Sequence, residues 1–344
     1  MKIVRIPLQA HTRFHFGTMK LDHDLALTDT SFVAHSDTVF SALVNSYSRL
    51  HETGDTFISY FKHGDIRVSS LLYYVASKQE PSTYIYFLPK PMFLEASSSK
   101  RKDGQHKKRN RIKFVSLGVV EQGFQADDWL EEDQFIILQD MFVITKKESV
   151  QLGLLGEDAK NVTIAKKVLS PKSPQRAHDN NASIYYQTDL QIGDQSMFDI
   201  GWYCMYEAAD DAEKALKQAF NVMAYTGIGG EIYNTGRTIP APPVFSTLSL
   251  PKITTPNYWM NIALLNPNTE EFKKVSFYQT LFRGGRTGTN DANGTSKVVN
   301  MIAEGALISS SDISGRLLEL GLDEHDRIIY RNGMTLLIPI PYGV

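Results

Sequence analysis

The chain has 344 residues, 42% hydrophobic and 22% charged, the composition of a protein that folds into about two globular domains. Its single cysteine, Cys204, excludes an internal disulfide and a cysteine-rich zinc site, and no run reaches the roughly 18 apolar residues that span a bilayer. Lys and Arg total 36 against 38 Asp and Glu, yet eight basic residues lie between Ser97 and Lys113 with only Asp103 opposing them, a local +7 that leaves −9 for the remainder.

Residues Ile3 to Leu8 read as a strand that Pro7 places at an edge or a bulge. Arg5 and Pro7 also interrupt the apolar core a signal peptide needs, so a reducing cytoplasm is the expected setting. A polar connection leads to His35. Ser36 and Asp37 are good helix caps, and Phe40, Leu43, Val44, Tyr47 and Leu50 follow at helical spacing, predicting a helix of about 13 residues. Leu71 to Ala76 and Thr83 to Leu88 alternate as a hairpin, closed by Pro89-Lys90-Pro91. The basic, Ser-rich stretch near 97–113 has too few apolar residues to pack and reads as a mobile inserted loop. A positive arm on an acidic body suits a polyanion partner, and a solvated loop without a ligand has the same composition.

Phe135 to Thr145 is a strand-like run, and Lys146 to Ala159 fits a short helix or an irregular linker. Val162 to Leu169 and Ile184 to Tyr186 read as strands around a Pro-, His- and Asn-rich loop, with another strand at Gly201 to Glu207. A second helix begins at Asp210 and Asp211, buries Ala212, Leu216, Ala219, Phe220 and Met223, and ends at Gly227. Strand, helix, two strands, helix, strand is the α+β order of a ferredoxin-like (RRM-like) fold, here with large insertions. After Pro251 come strand-like runs at Tyr258 to Leu265, Tyr278 to Phe282, Ala306 to Ser309 and Thr335 to Ile340. This predicts a 1–250 region and a smaller strand-rich 251–344 module; a boundary near 150 fits the same pattern.

Two glycine clusters stand out. Gly227-Ile228-Gly229-Gly230 follows the second helix, and Arg283-Gly284-Gly285-Arg286-Thr287-Gly288 follows a strand. Without Cβ atoms, a main chain approaches a ligand closely and turns several N–H groups toward one anion, and the two guanidinium groups of the second cluster match phosphate oxygens. A helix cap running into a tight turn has the same glycine pattern. Neither cluster is a Walker loop or a GxGxxG loop, which disfavours a nucleotide-hydrolysing engine. His11 and His15, four apart in a strand or its extension, would share a side and offer acid–base chemistry for RNA cleavage; packing or RNA contact without catalysis is the favoured reading of them. Cys204 fits the core, Asp37 fits a helix cap, and nothing matches a metal signature.

The glycine loop after a helix resembles that of the repeat-associated mysterious proteins (RAMPs) of CRISPR systems, which are built from ferredoxin-like modules. Phe14-His15-Phe16-Gly17, His35-Ser36-Asp37 running to Leu43, and Leu88-Pro89-Lys90-Pro91 before a Lys-rich stretch are similar to the fourth-subunit family of the type III-A (Csm) effector complex. So are Arg283-Gly284-Gly285, Glu304-Gly305, and Tyr330-Arg331-Asn332-Gly333 to Ile338-Pro339-Ile340. The matches run in the family's order along nearly the whole chain. The sequence departs from the pattern where Glu231 to Thr235 precede Gly236-Arg237, and where only Lys172 to Asp179 represent an Arg-rich turn.

The resemblance implies a non-catalytic subunit without cofactor or metal that holds the 5′ tag of the CRISPR RNA (crRNA). It would cap the backbone of RAMP subunits and dock the large signature subunit, away from any membrane. Under it, RNA contacts are expected from Phe14, His15, Phe16 and Gly17, from Ser36 and Asp37, and from Gly227, Ile228, Gly229 and Gly230. Lys90, Lys107, Lys108, Arg109, Arg237, Arg283 and Arg286 would add charge. Phe14, Phe16, Tyr225 and Tyr233 would offer faces to splayed bases. The rival within the same superfamily is a metal-independent endoribonuclease that processes CRISPR repeat RNA with His11 and His15.

Overall fold

The computed structural model describes residues 1–19, 25–92, 105–123, 128–130, 134–154, 156–172, 184–230, 241–253, 256–286, 295–323 and 325–341. Six elements organise it: strand β1 (Lys2–Pro7), helix α1 (Ser36–His51), strands β2 (Leu72–Ser77) and β3 (Phe198–Ala208), helix α2 (Asp210–Thr226) and strand β4 (Val244–Thr247). The four strands lie side by side in the order β4-β1-β3-β2, every neighbour antiparallel. Beyond β2 the same sheet continues through Tyr84–Pro89, Phe114–Ser116, Phe142–Thr145 and Phe135–Leu138, so it joins strands from both sides of residue 150.

Strand alternation builds the layers. Val4, Ile6, Tyr73, Trp202 and Cys204 are buried in one core with Phe40 and Leu43 of α1 and Leu216 and Phe220 of α2. Ile3, Leu72, Tyr203 and Met205 belong to a second core with Met260, Ile262, Leu307, Leu336 and Ile338 of the C-terminal module. That module is a four-stranded sheet in the order Val275–Phe277, Leu307–Ile308, Tyr258–Asn261, Leu337–Ile340, with two further hairpins, Thr280–Arg286 with Thr295–Ile302 and Gly315–Leu322 with Ile328–Met334. Cys204 is buried and its thiol is pushed up to about 12 by burial, as expected of a core residue.

Several elements differ from the sequence expectations. Pro7 is not at a bulge: β1 lies between two strands, but β4 pairs only with Lys2 to Arg5, so Pro7, opposite Gly201, has a partner on one side and its missing N–H is tolerated. The polar connection before His35 contains the short strands Arg13–Phe14, Gly17–Met19 and Leu25–Thr30. Phe135 to Thr145 is a hairpin, because Gln139 and Asp140 both take positive φ and reverse the chain. Helices α1 and α2 are capped by His35 and Ala209 without side-chain cap bonds, so Ser36, Asp37, Asp210 and Asp211 lie inside the first turns. Of the basic stretch, 93–104 lie outside the described residues, and Gln105–Arg111 is a helix rather than a loop.

Candidate nucleic-acid interface

The first glycine cluster closes onto the N-terminal motif. Gly227 ends α2 with φ +90°, and Gly229 follows with φ +97°. The Gly230 N–H then donates to the His15 carbonyl at 2.8 Å, forming an antiparallel bridge. A Cβ at Gly229 would stand 2.6 Å from that same carbonyl and 3.1 Å from the Phe16 ring. Close approach is therefore the reason for the glycines, as the sequence indicated, but the partner that needs it is the chain itself. Ile228 is buried beside them.

His15 is buried with its Nδ1 2.9 Å from the Thr188 carbonyl, an acceptor only, so Nδ1 carries the proton. The adjacent strand is only Arg13–Phe14, and His11 precedes it in a left-handed turn, exposed, with Nε2 3.7 Å from Asp194. The two histidines are thus not presented on one strand face, because the extended stretch they would share is broken. Phe14 and Phe16 depart from expectation too. Both are buried, their rings 4.4 and 5.7 Å from Trp202, and neither offers a face to a base. Tyr225, on the last turn of α2, is exposed; Tyr233 and Arg237 lie outside the described residues.

The other motifs converge on a different place. Arg283 sits within strand Thr280–Arg286 and not in a loop after it, buried and bidentate to Asp37 through Nε and Nη2, both at 2.8 Å. Its Nη2 also donates to the Thr38 hydroxyl at 3.0 Å. Beside this pair His35 Nδ1 donates to Glu304 at 2.8 Å, and the Ser70 hydroxyl donates to the same carboxylate. Ser36 accepts the Leu264 N–H at 3.0 Å. Helix α1 and the C-terminal strands are thereby joined by one buried ion pair, Asp37 with Arg283, and one buried hydrogen bond, His35 with Glu304. Asp37, expected to cap, and Arg283, expected to meet phosphate, are committed to each other. Gly284 and Gly285 continue the strand, and Arg286 is its last residue.

Burial alone would raise the Asp37 carboxyl, but Arg283, with Arg331 and His35, holds it below the ordinary aspartate value. Burial likewise opposes ionisation of Glu304, and His35 and Ser70 reverse that. Both folded-state values are lowered, so this stabilisation is present above the ordinary glutamate value of 4.5 and is lost as pH falls through the folded values. Glu304→Gln is expected to lower stability at pH 7 and to narrow its gap from wild type below pH 4.5. Urea melts at pH 7, 5, 4 and 3 read this, and a pH-independent gap contradicts it.

The basic candidates divide. Lys107 and Lys108 are exposed on helix Gln105–Arg111, while Arg109 is buried and its carbonyl accepts from Lys90 Nζ at 2.9 Å. Sequence reasoning gave no role to Phe32 and Lys167, and counted Lys113 only as the end of the basic arm. Lys167 stands on the hairpin of Ala165–Lys172 with Tyr185–Ile192, which exposes Leu169, Ile184 and Tyr186 near its tip. The adjacent Lys166-Lys167 pair was the only signal available, and it says nothing about a partner 54 residues away. No group of three or more metal-ligating side chains occurs among the described residues, and none of their helices is long and apolar enough to cross a membrane.

Comparison with known proteins identifies similar chains. Residues 254–340 match the family model of the CRISPR Csm4 C-terminal domain. Over 316 residues the chain is 23% identical to the CRISPR system Cms protein Csm4 of Methanocaldococcus jannaschii, covering 83% of this chain and 79% of that protein. Its fold is similar to a chain of the Csm3–Csm4 subcomplex in the type III-A CRISPR-Cas interference complex, with a TM-score of 0.69, 19% identity and 100% of both chains covered. A second similar chain, in the Csm1–Csm4 cassette in complex with pppApA, gives 0.57 at 15% identity over 100% of this chain and 99% of the other.

Proposed function

We propose, from the premise that the chain belongs to the Csm4 family of type III CRISPR Csm complexes, that it is a non-catalytic RNA-binding subunit. It would hold the crRNA 5′ tag and cap the backbone of the complex. The observation that carries this reading is spatial. Motif residues far apart in the chain fall into two assemblies, the glycine bridge (Phe14 to Phe16 with Gly227 to Gly230) and the buried ionic joint (His35 to Asp37 with Arg283, Glu304 and Arg331), which a family fingerprint requires and chance spacing does not supply.

The β4-β1-β3-β2 order, with α1 and α2 each crossing between parallel strands, is the arrangement a ferredoxin-like RAMP module has, so we read 1–250 as that module and 251–344 as the appended one. The docking partners are the backbone RAMP subunit, Csm3, and the large subunit, Csm1, as in the solved assemblies of similar chains. Such an assembly would work in the cytoplasm.

In this reading the glycine bridge shapes the RNA path, and Tyr225, Lys107 and Lys108 contribute to it from the surface. The full chain, mixed with a single-stranded RNA that begins with the repeat-derived tag, is expected to bind without cutting. Gly229→Asp forces a side chain against the His15 carbonyl at a positive φ, a strain of about 1 to 3 kcal/mol, and places negative charge beside the path. The strain lowers the stability of the fold by that amount, and the added charge repels the RNA, so tag affinity should fall. Unchanged affinity with an intact fold would mean that the bridge is structural only, and cleavage by wild type would remove the non-catalytic reading.

A further inference from the structure

Residues 28–32 lie over the glycine bridge. The Ser31 N–H donates to the Phe16 carbonyl at 2.9 Å, and the Thr188 hydroxyl donates to the Thr28 carbonyl at 2.8 Å, while Thr188 also holds His15. Two ammonium groups from distant parts of the chain meet at this segment. Lys113 Nζ lies 5.9 Å from the centre of the Phe32 ring, and Lys167 Nζ lies 5.3 Å from it. Asp29 is ion-paired with Lys167. Phe32 is itself fixed, since its carbonyl accepts from the buried Tyr73 hydroxyl at 2.7 Å and its ring packs against the main core.

The charge balance of this cluster is the telling feature. Two cations share one carboxylate, and burial together with Lys167 already disfavours the charged form of Lys113. Crowding two ammonium groups without a second anion is unfavourable, and the ring and Asp29 offset only part of it. A phosphodiester oxygen between them would supply the missing negative charge. The site is also continuous with the basic arm, since Lys113 follows helix Gln105–Arg111 and its carbonyl accepts the Lys90 N–H at 2.8 Å.

We propose that Lys113 and Lys167, held at Phe32, form a clamp for a backbone phosphate of the single-stranded RNA that passes the glycine bridge. Asp29 serves as the intramolecular placeholder that the phosphate displaces from Lys167. The clamp rests on the RNA-binding reading and adds to it a fixed phosphate position where the end of the basic arm meets Lys167, outside the glycine loops.

The test measures the affinity of the full chain for a fluorescent single-stranded tag RNA from 50 to 400 mM salt, for wild type, Lys113→Gln/Lys167→Gln and Asp29→Asn, with melting temperatures recorded for each. Losing the one clamped phosphate lowers the salt slope by about 0.7 and, measured against 1 M salt, weakens binding about 5-fold at 0.1 M. Asp29→Asn frees Lys167 and is expected to tighten binding, a direction that damage to the fold cannot produce. An unchanged slope in the double variant overturns the clamp, even if its affinity drops. If wild type and the Gly229→Asp variant behave as described while the lysine variant keeps its slope, only the clamp fails. If wild type does not bind the RNA, the RNA-binding reading fails and the clamp with it.

Discussion

Arg283→Ala is expected to destabilise the folded chain by about 3 to 5 kcal/mol, because it leaves the Asp37 carboxylate buried without the guanidinium that compensates it. Against total stabilities of about 5 to 15 kcal/mol, that is about a fifth or more of what holds a typical domain folded. The pair is a joint as well as a charge balance. It ties the first turn of α1 to a strand of the C-terminal module 246 residues away, so its loss also loosens their contact. Denaturant melts of wild type, Arg283→Ala, Asp37→Asn and the double variant Asp37→Asn/Arg283→Met form the check. Removing both charges should recover much of the loss, since a buried pair replaced by uncharged groups of similar volume is often near neutral. A single variant as stable as wild type would show that the joint carries no load.

Tag RNA binding should weaken roughly 300-fold between 50 and 200 mM salt if about six phosphates are neutralised, at a slope near −0.7 per contact for single strands. Lys107, Lys108, Lys113 and Lys167 are exposed, and the sequence before Lys107 contains Lys100, Arg101 and Lys102. The body is otherwise acidic, which sharpens the dependence on these few residues. A fluorescence titration at four salt concentrations gives the slope directly. A slope near zero would mean that recognition rests on stacking and hydrogen bonding, and that the basic arm serves a protein partner instead.

Periodicity located α1, α2 and the Leu72–Ser77 with Tyr84–Pro89 hairpin because each buries one regular face, which a short window of sequence already contains. It failed where structure depends on distant partners. Arg13–Phe14 exists because the Tyr185–Ile192 strand gives it hydrogen-bond partners, His15 after it is held by the glycine bridge, and Gly17–Met19 pairs with Leu25–Thr30 in a strand pair too short and irregular to show a period. Arg283 and its glycines have the composition of a phosphate loop. Only the fold shows that the missing side chains let the strand pass Met19 and that the guanidinium meets Asp37. Likewise His35, Glu304 and Arg331 appeared in family motifs without a role, since no spacing rule connects residues that far apart. The glycine loop was legible as a place of close approach, and its partner, His15, was singled out for another reason.

The interleaving of β1 between β3 and β4 also has a kinetic meaning. Strand β1 pairs only with Phe198–Ala208 and Val244–Thr247, so about 240 further residues must leave the ribosome before both its neighbours exist. At about 5 to 20 residues per second, that strand waits roughly 12 to 50 s with Ile3, Val4 and Ile6 uncovered. Non-local pairing of this kind is slow to form and exposed to aggregation meanwhile. The nascent chain is therefore a natural client for holding chaperones. Fragments that end before β4 should accumulate as insoluble material, so a cell that makes this subunit has reason to finish translation before assembly begins.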